Sequence, residues 1–210
     1  MRNKYLISLH DHPYFDISLL KGLFPLVPKR DLYNYLSYWV KTGKIHRIQN
    51  GRFVTNEAYL KYMSDNNYRE FMASILCYPS YLSTEYVLSK YGLLTEGVYS
   101  ITSVTLNERK DVSNMLGDYI YKQISPKYFN GYIKKYFIKY EYFEASKAKA
   151  LFDYLYFRKN MISNEMISGD IVENLRLNLE NLNSDDKREL ATYINNSKIN
   201  KLIQIYKKLV

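Results

Sequence analysis

Apolar positions fall into three regimes along the chain. Residues 3–11 carry Tyr5, Leu6, Ile7 and Leu9, enough for a short first helix that Pro13 breaks. Asp16 then opens ISLLKGLF as an N-cap, its carboxylate accepting the free amides of a first turn. That second helix stops at Pro25, because a residue before proline is pushed out of helical geometry. After the turn LVP, residues 29–42 set Leu32, Leu36, Trp39 and Val40 on one face. Lys29, Arg30, Tyr33, Asn34, Ser37 and Lys41 fall on the other, and Gly43 ends the helix. In KIHRIQNGRFVT, strict alternation puts Ile45, Arg47 and Gln49 opposite His46, Ile48 and Asn50. Asn50-Gly51 is a strong hairpin turn, with Phe53 and Val54 on the return strand.

The middle regime mixes periods. Residues 57–75 predict a helix with Tyr59, Leu60, Met63, Phe71, Met72 and Ile75 as apolar positions, interrupted near Asn66-Asn67. LSTEYVLSKYG predicts a helix ended by Gly92, and VYSITSVT has the β-branched content of a strand. Gly117 starts another strand, GDYIYKQI. YFNGYIKKYFIKYEYFEA suggests a strand pair turning near Asn130-Gly131 or Lys134-Lys135. Residues 147–159 predict a helix burying Leu151, Leu155 and aromatics.

The tail, 163–210, has helical spacing. Ile167, Ile171, Leu175, Leu179 and Leu182 recur in the first part. Ser184 is the expected cap of DDKRELATYINN and Ser197 of KINKLIQIYKKLV. The last helix would pack Ile199, Leu202, Ile203, Tyr206 and Leu209 on the sheet; a basic amphipathic helix can also dock on a partner or a membrane surface.

Charge changes this picture. The 210 residues carry a net +9, which favours an anionic partner. Residues 1–62 hold ten Lys/Arg against four acids, a net +6, while the other 148 hold twenty against seventeen. A basic module of 1–62 therefore precedes a nearly balanced body of 63–210. Three short helices and a basic hairpin form the winged helix-turn-helix order, whose third helix enters a major groove while the wing lies on backbone. Lys29, Arg30, Asn34 and Ser37 become the base-reading candidates, with Tyr33 on the same face as a further DNA-binding candidate. Lys41, Lys44, His46, Arg47, Gln49 and Arg52 become the backbone or wing candidates. The same residues also suit a plain solvated hairpin, or a winged module that binds protein.

Other chemistry has little purchase. A single cysteine, Cys77, excludes a disulfide scaffold and a cysteine-rich zinc module. His10-Asp11-His12 lacks a third metal ligand. No phosphate-binding glycine loop, HExxH or GxSxG occurs. A metal-dependent nuclease built on Asp118, Glu144 and Lys147 has only loose spacing behind it. No apolar run of about 18 residues exists and the start MRNKYLISLHDH lacks a signal-peptide pattern, so the expectation is a cytoplasmic protein without cofactor. Twenty-four tyrosines, with heavy Asn, Lys and Ile usage, fit an AT-rich genome.

One stretch resembles a known family. Tyr81, Ser83, Glu85, Leu88, Tyr91, Gly92, Leu93 and Glu96 are followed by Val98, Ile101, Ser103, Thr105 and Arg109-Lys110. Gly117, Tyr119, Tyr121, Ile124, Phe129, Gly131 and Tyr132 come next, then Lys149-Ala150-Leu151-Phe152-Asp153. With the winged module in front, residues 1–160 resemble the AbiEi-type antitoxins of abortive-infection, type IV toxin–antitoxin systems used in phage defence. Ala148 departs from the acid expected before Lys149. The resemblance implies an α+β chain: a winged helix-turn-helix, then a mixed α/β antitoxin domain with a helical end. It implies a repressor of its own operon, binding inverted repeats in double-stranded promoter DNA as a monomer or weak dimer with cooperativity. It further implies a nucleotidyltransferase toxin as counterpart, without implying direct contact.

Overall fold

A computed structural model describes residues 2–209. The chain is a mixed α+β protein that divides into two compact units. One comprises residues 1–69 with 114–116, and the other 70–113 with 117–210.

The first unit begins with α1 (Arg2–Ile7), β1 (Phe15–Asp16), α2 (Ile17–Leu23) and α3 (Lys29–Lys41). It continues with β2 (Ile45–Gln49), β3 (Arg52–Thr55) and α4 (Asn56–Tyr62). The first helix ends at Ile7, four residues short of expectation, and turn bonds such as Leu9 N to Leu6 O carry the chain on. Asp16 caps α2 by accepting the Leu19 amide at 2.8 Å. Phe15-Asp16 also pairs with Phe53-Arg52, giving the sheet order β1-β3-β2. Two residues show no periodicity, which is why this strand escapes a sequence reading. The core gathers Leu6, Leu9, Phe15, Leu20, Leu32, Leu36, Trp39, Ile45 and Phe53. Val40, placed on the buried face by spacing, is instead exposed. Gly43 and Gly51 take positive φ of 68° and 75°, which closes α3 and the hairpin turn.

A break follows Tyr62, and α5 (Asn66–Leu76) starts at the asparagine pair. The division between the units falls inside this helix. The second unit then runs through β4 (Ser80–Leu82), α6 (Thr84–Lys90), β5 (Ile101–Thr105), β6 (Lys110–Asn114) and β7 (Gly117–Gln123). After a 3-10 turn at Pro126–Tyr128 come β8 (Tyr132–Phe137), β9 (Tyr140–Ala145) and α7 (Lys147–Arg158). The sheet order is β6-β7-β5-β4-β9-β8. It is mixed: β5 is parallel to β7 and β4 to β9, while β4–β5 and β8–β9 are antiparallel. The β8–β9 turn lies at Ile138-Lys139, not at either predicted pair. A β-branched residue with φ of 55° makes this turn, a conformation that turn chemistry gives no reason to expect of Ile138.

The tail differs most from its spacing. One continuous helix does not form over 164–182. Instead α8 (Asn164–Ser168), α9 (Ile171–Asn174) and a 3-10 turn at Leu179–Asn181 follow one another. Leu177 is drawn into a bridge with Leu94, Asn178 N donates to Leu93 O, and Arg176 turns left-handed. Tertiary pairing of the backbone outweighs helical spacing here. Asn183, not Ser184, caps α10 (Ser184–Ser197), completing a capping box with Asp186. Ser197 ends α10 and takes the Ile199 amide ahead of α11 (Asn200–Leu209). No helix among the described residues is long and apolar enough to cross a membrane.

The second unit has a charged interior. Lys149 and Asp153, one turn apart on α7, are both fully buried with Nζ and Oδ1 at 2.5 Å. Lys149 also donates to Tyr128 O at 2.8 Å, and Asp153 accepts from Tyr81 at 2.9 Å and Ser83 at 2.8 Å. Every strong polar atom of the pair is therefore answered. Burial pushes the Asp153 carboxyl up and the Lys149 amine down, and each partner's charge opposes the shift. Ala148 beside them is buried, so an acid there would lose its water; Ser146 caps α7 instead and donates to Glu189 of α10.

A second network joins α5, α6 and β9. Glu70 accepts from Lys90, Tyr86 and Tyr142, and Glu144 from Lys90 and Tyr91. Burial pulls the Lys90 amine down, but hydrogen bonds and charge from Glu144 and Glu70 outweigh it and hold the amine above its ordinary range.

Two outcomes follow. Lys149→Met strands the Asp153 charge and costs about 3–5 kcal/mol in urea unfolding. The double change Lys149→Met with Asp153→Leu costs less; a single-variant loss under about 1 kcal/mol contradicts the assignment. For Lys90 the folded form holds its proton more tightly than the unfolded one. Its contribution is complete below the ordinary lysine value of 10.5 and is lost as pH rises beyond it. Melting curves of Lys90→Met should show a shallower alkaline fall than wild type.

Candidate nucleic-acid interface

Helix α3 presents one face to solvent because its other face fills the core of the first unit. Leu32, Leu36 and Trp39 are buried at helical spacing. Lys29, Arg30, Tyr33, Asn34, Ser37 and Lys41, all exposed, line the opposite side. The Lys29 amine sits 5.9 Å from the Tyr33 ring centroid. Ser37 donates to Tyr33 O at 3.0 Å, which occupies its hydroxyl hydrogen but leaves lone pairs. Pro28 at the N-cap offers no side-chain acceptor, so the positive end of the helix dipole adds to Lys29 and Arg30.

The hairpin contributes a different set. A β-bulge between Arg47 and Gln49 breaks the alternation assumed from sequence. Ile45 and Ile48 are consequently both buried and Arg47 is exposed. The Arg47 guanidinium lies 5.5 Å from the Phe53 ring centroid, which steadies its stem while its head faces water. Across the ladder Arg52 donates to Gln49 Oε1 at 2.6 Å. That bond uses the Gln49 carbonyl and orients Arg52. The Lys44 amine stands 5.9 Å from the Tyr38 ring. His46, half-buried like Lys44, Gln49 and Arg52, also has a structural contact. Its Nε2 lies 2.9 Å from Asn56 Oδ1 and its ring packs on Tyr59, so it braces β2 against the start of α4.

Of the six wing or backbone candidates, Lys41 and Arg47 are exposed, and Lys44, His46, Gln49 and Arg52 are half-buried. Two apolar members of this surface escape the sequence reading. Leu26, in the turn before α3, is 95% exposed, and Tyr38 is exposed on α3 itself. Leu26 looks like a core residue until the LVP turn lifts it from the fold, and a hydrophobicity scan carries no signal for that.

The other chemical candidates stay apart. His10 Nε2 is 3.4 Å from Glu57 in a solvent-accessible pair. No group of three or more His, Cys, Asp or Glu among the described residues is placed to hold a metal. Asp118 accepts from Ser113, Glu144 belongs to the Lys90 network, and Lys147 donates to Asn181 O. Each of these three has its own separate partners. Cys77 is buried beside Thr105 and Asn107.

The electrostatics of this surface are simple. Its cations stand near neutral amides, hydroxyls and rings, with Asp31 the one acid of α3. Such a surface can grip phosphates through Lys and Arg and present Asn34 and Arg30 to base edges. No family model matches the chain, and no curated protein matches it either.

If this face has no structural duty, the combined change Lys29→Ala, Arg30→Ala and Asn34→Ala leaves unfolding stability within about 0.5 kcal/mol per site. Trp39→Ala, on the opposite face of the same helix, costs about 3–5 kcal/mol. Chemical denaturation of the two variants checks the contrast.

Proposed function

We propose that residues 1–62 form a winged helix-turn-helix that binds double-stranded DNA, and that the protein represses its own promoter as the antitoxin of a type IV toxin–antitoxin system. The observation that carries the DNA reading is the outward face of α3, where Lys29, Arg30, Tyr33, Asn34, Ser37 and Lys41 are exposed together at the start of the basic hairpin. The order of helices and the three-stranded sheet β1-β3-β2 support it. So does the concentration of net charge, +6 of +9, in this segment.

In this reading α3 lies in the major groove. Arg30 donates to guanine and Asn34 makes the paired hydrogen bonds that adenine accepts and donates. Arg47 and Arg52 hold phosphate from the hairpin. Lys41 and Lys44 extend the phosphate track at the far end of α3. The antitoxin half rests on the resemblance of residues 81–153 to its family. There the counterpart is a nucleotidyltransferase toxin, opposed with or without contact.

A second reading makes the same module a protein-docking surface that binds the toxin directly. The exposure of Leu26 beside α3 favours it, since protein interfaces use apolar anchors.

Fluorescence anisotropy with promoter and scrambled duplexes separates these. Arg30→Ala and Asn34→Ala should each cost about 1–3 kcal/mol on promoter DNA and little on scrambled DNA. Arg47→Ala and Arg52→Ala should weaken both duplexes, and each should lower the salt slope by about one, the share of a single phosphate. Absence of duplex affinity at low salt, with a stoichiometric toxin complex that Leu26→Ser disrupts, would replace the first reading with the second.

A further inference from the structure

Three cations from separate parts of the second unit converge on one groove of about 400 Å³. Lys122 comes from β7, Arg158 from the end of α7, and Arg109 from the β5–β6 loop. Among the described residues, Glu85 of α6 is the only acid lining it. Glu85 accepts from Lys122 at 2.7 and 2.8 Å and from Arg158 at 3.4 Å. Burial opposes ionisation of Glu85, but the charge and hydrogen bonds of Lys122 outweigh it and keep the carboxyl below its ordinary range. One negative charge therefore faces three positive ones, and the lining carries an excess of two.

Lys122 is held by Glu85, whereas the two arginines are held less firmly. Arg158 rests its guanidinium on the Tyr154 ring at 4.5 Å and gives one terminal nitrogen to Glu85. Its Nε–H is screened from water and meets no acceptor among the described residues. Arg109 is 75% exposed, and its ion pair with Asp111 is stretched to 3.8 Å. An arginine fork held this loosely is ready for the oxygens of a phosphate, which it can bind in paired fashion.

The rest of the lining is of another kind. Phe157 offers a ring whose centroid lies 5.7 Å from the Lys122 amine, Met161 is 73% exposed, and the exposed Gln123 amide makes only a long bond, 3.4 Å, to Leu106 O. A flat aromatic or heteroaromatic ring suits Phe157 and Met161, and an amide reads the edge of a base. The volume lies within the range of small-ligand sites. A second groove shares Arg109 and Gln123 and adds the opposite charges Lys110 and Glu108.

We propose that this groove binds a mononucleotide, its phosphates between Arg109 and Arg158 and its base against Phe157. The site uses only residues of the second unit and none of the residues assigned to DNA, so its success or failure is independent of that reading.

The test titrates mant-labelled ATP and mant-labelled GTP into the full-length protein at low salt. Saturable binding is expected, competed by unlabelled nucleotide but not by adenosine or guanosine. Arg109→Ala and Arg158→Gln should each weaken it at least about tenfold. Arg109 is exposed and its change leaves the fold intact, which guards against a misfolded Arg158 variant; circular dichroism verifies both. Arg47→Ala with Arg52→Ala should leave nucleotide binding unchanged. The proposal is overturned if neither label binds up to millimolar concentration. It is also overturned if binding ignores both arginine variants, or if a short single-stranded oligonucleotide binds there while mononucleotides do not.

Discussion

An ion pair sealed from water organises the second unit. Lys149 and Asp153 sit on α7, yet their remaining hydrogen bonds reach β4, the residue after it, and the 3-10 turn before β8. A buried charge is tolerable only when all of its neighbours are in place. The sheet, α7 and the Tyr128 turn must therefore assemble together, because any one missing leaves a charge in apolar surroundings. Around the pair the aromatic rings of Tyr81, Phe152 and Tyr193 close at 4.7–5.7 Å from the Lys149 amine, adding attraction while excluding water. The Glu70–Lys90–Glu144 network repeats the same principle across α5, α6 and β9, with tyrosine hydroxyls completing the carboxylates.

The first unit follows another logic. Its interior is mainly apolar, built from leucines, Phe15, Phe53 and Trp39, and its buried polar groups include Thr55, which caps α4, and the Tyr68 hydroxyl, which donates to Pro13 O. Such a core specifies little beyond shape, which frees the outer face of α3 to vary without unsettling the fold. The exposed Lys29, Arg30 and Asn34 are therefore carried on a helix whose position is set from behind. In the second unit the polar groups turn inward, and the tyrosines that look like a compositional accident supply many of their hydrogen bonds.

Much of the first unit is legible in the chain. The Asp16 cap, the stripe Leu32–Leu36–Trp39, Gly43 and the Asn50-Gly51 turn are local signals, each with its own mechanism, and all appear as anticipated. The bulge after Arg47 is not legible, because one extra residue in a ladder depends on the partner strand. Lys149 and Asp153 illustrate a deeper limit. Pattern reading assigns charges to water, and one turn of separation suits a surface pair as well as a buried one. The Arg109–Lys122–Arg158 groove draws on segments from Glu85 to Met161, so only the folded sheet brings it into being. The tail misleads because Leu177 and Asn178 find strand-like partners at Leu93 and Leu94.

Gly131 has a role beyond its turn. A methyl group there would stand 2.1 Å from the Tyr193 hydroxyl and 3.0 Å from the Lys149 stem. The missing side chain is the socket into which α10 presses its tyrosine against the lysine of α7. α10 packs mainly on α7, and the socket at residue 131 ties both helices to the chain just before β8. Filling the socket would push on Tyr193 and on the Lys149 stem at once, so a substitution at residue 131 reaches both α10 and the buried charge pair.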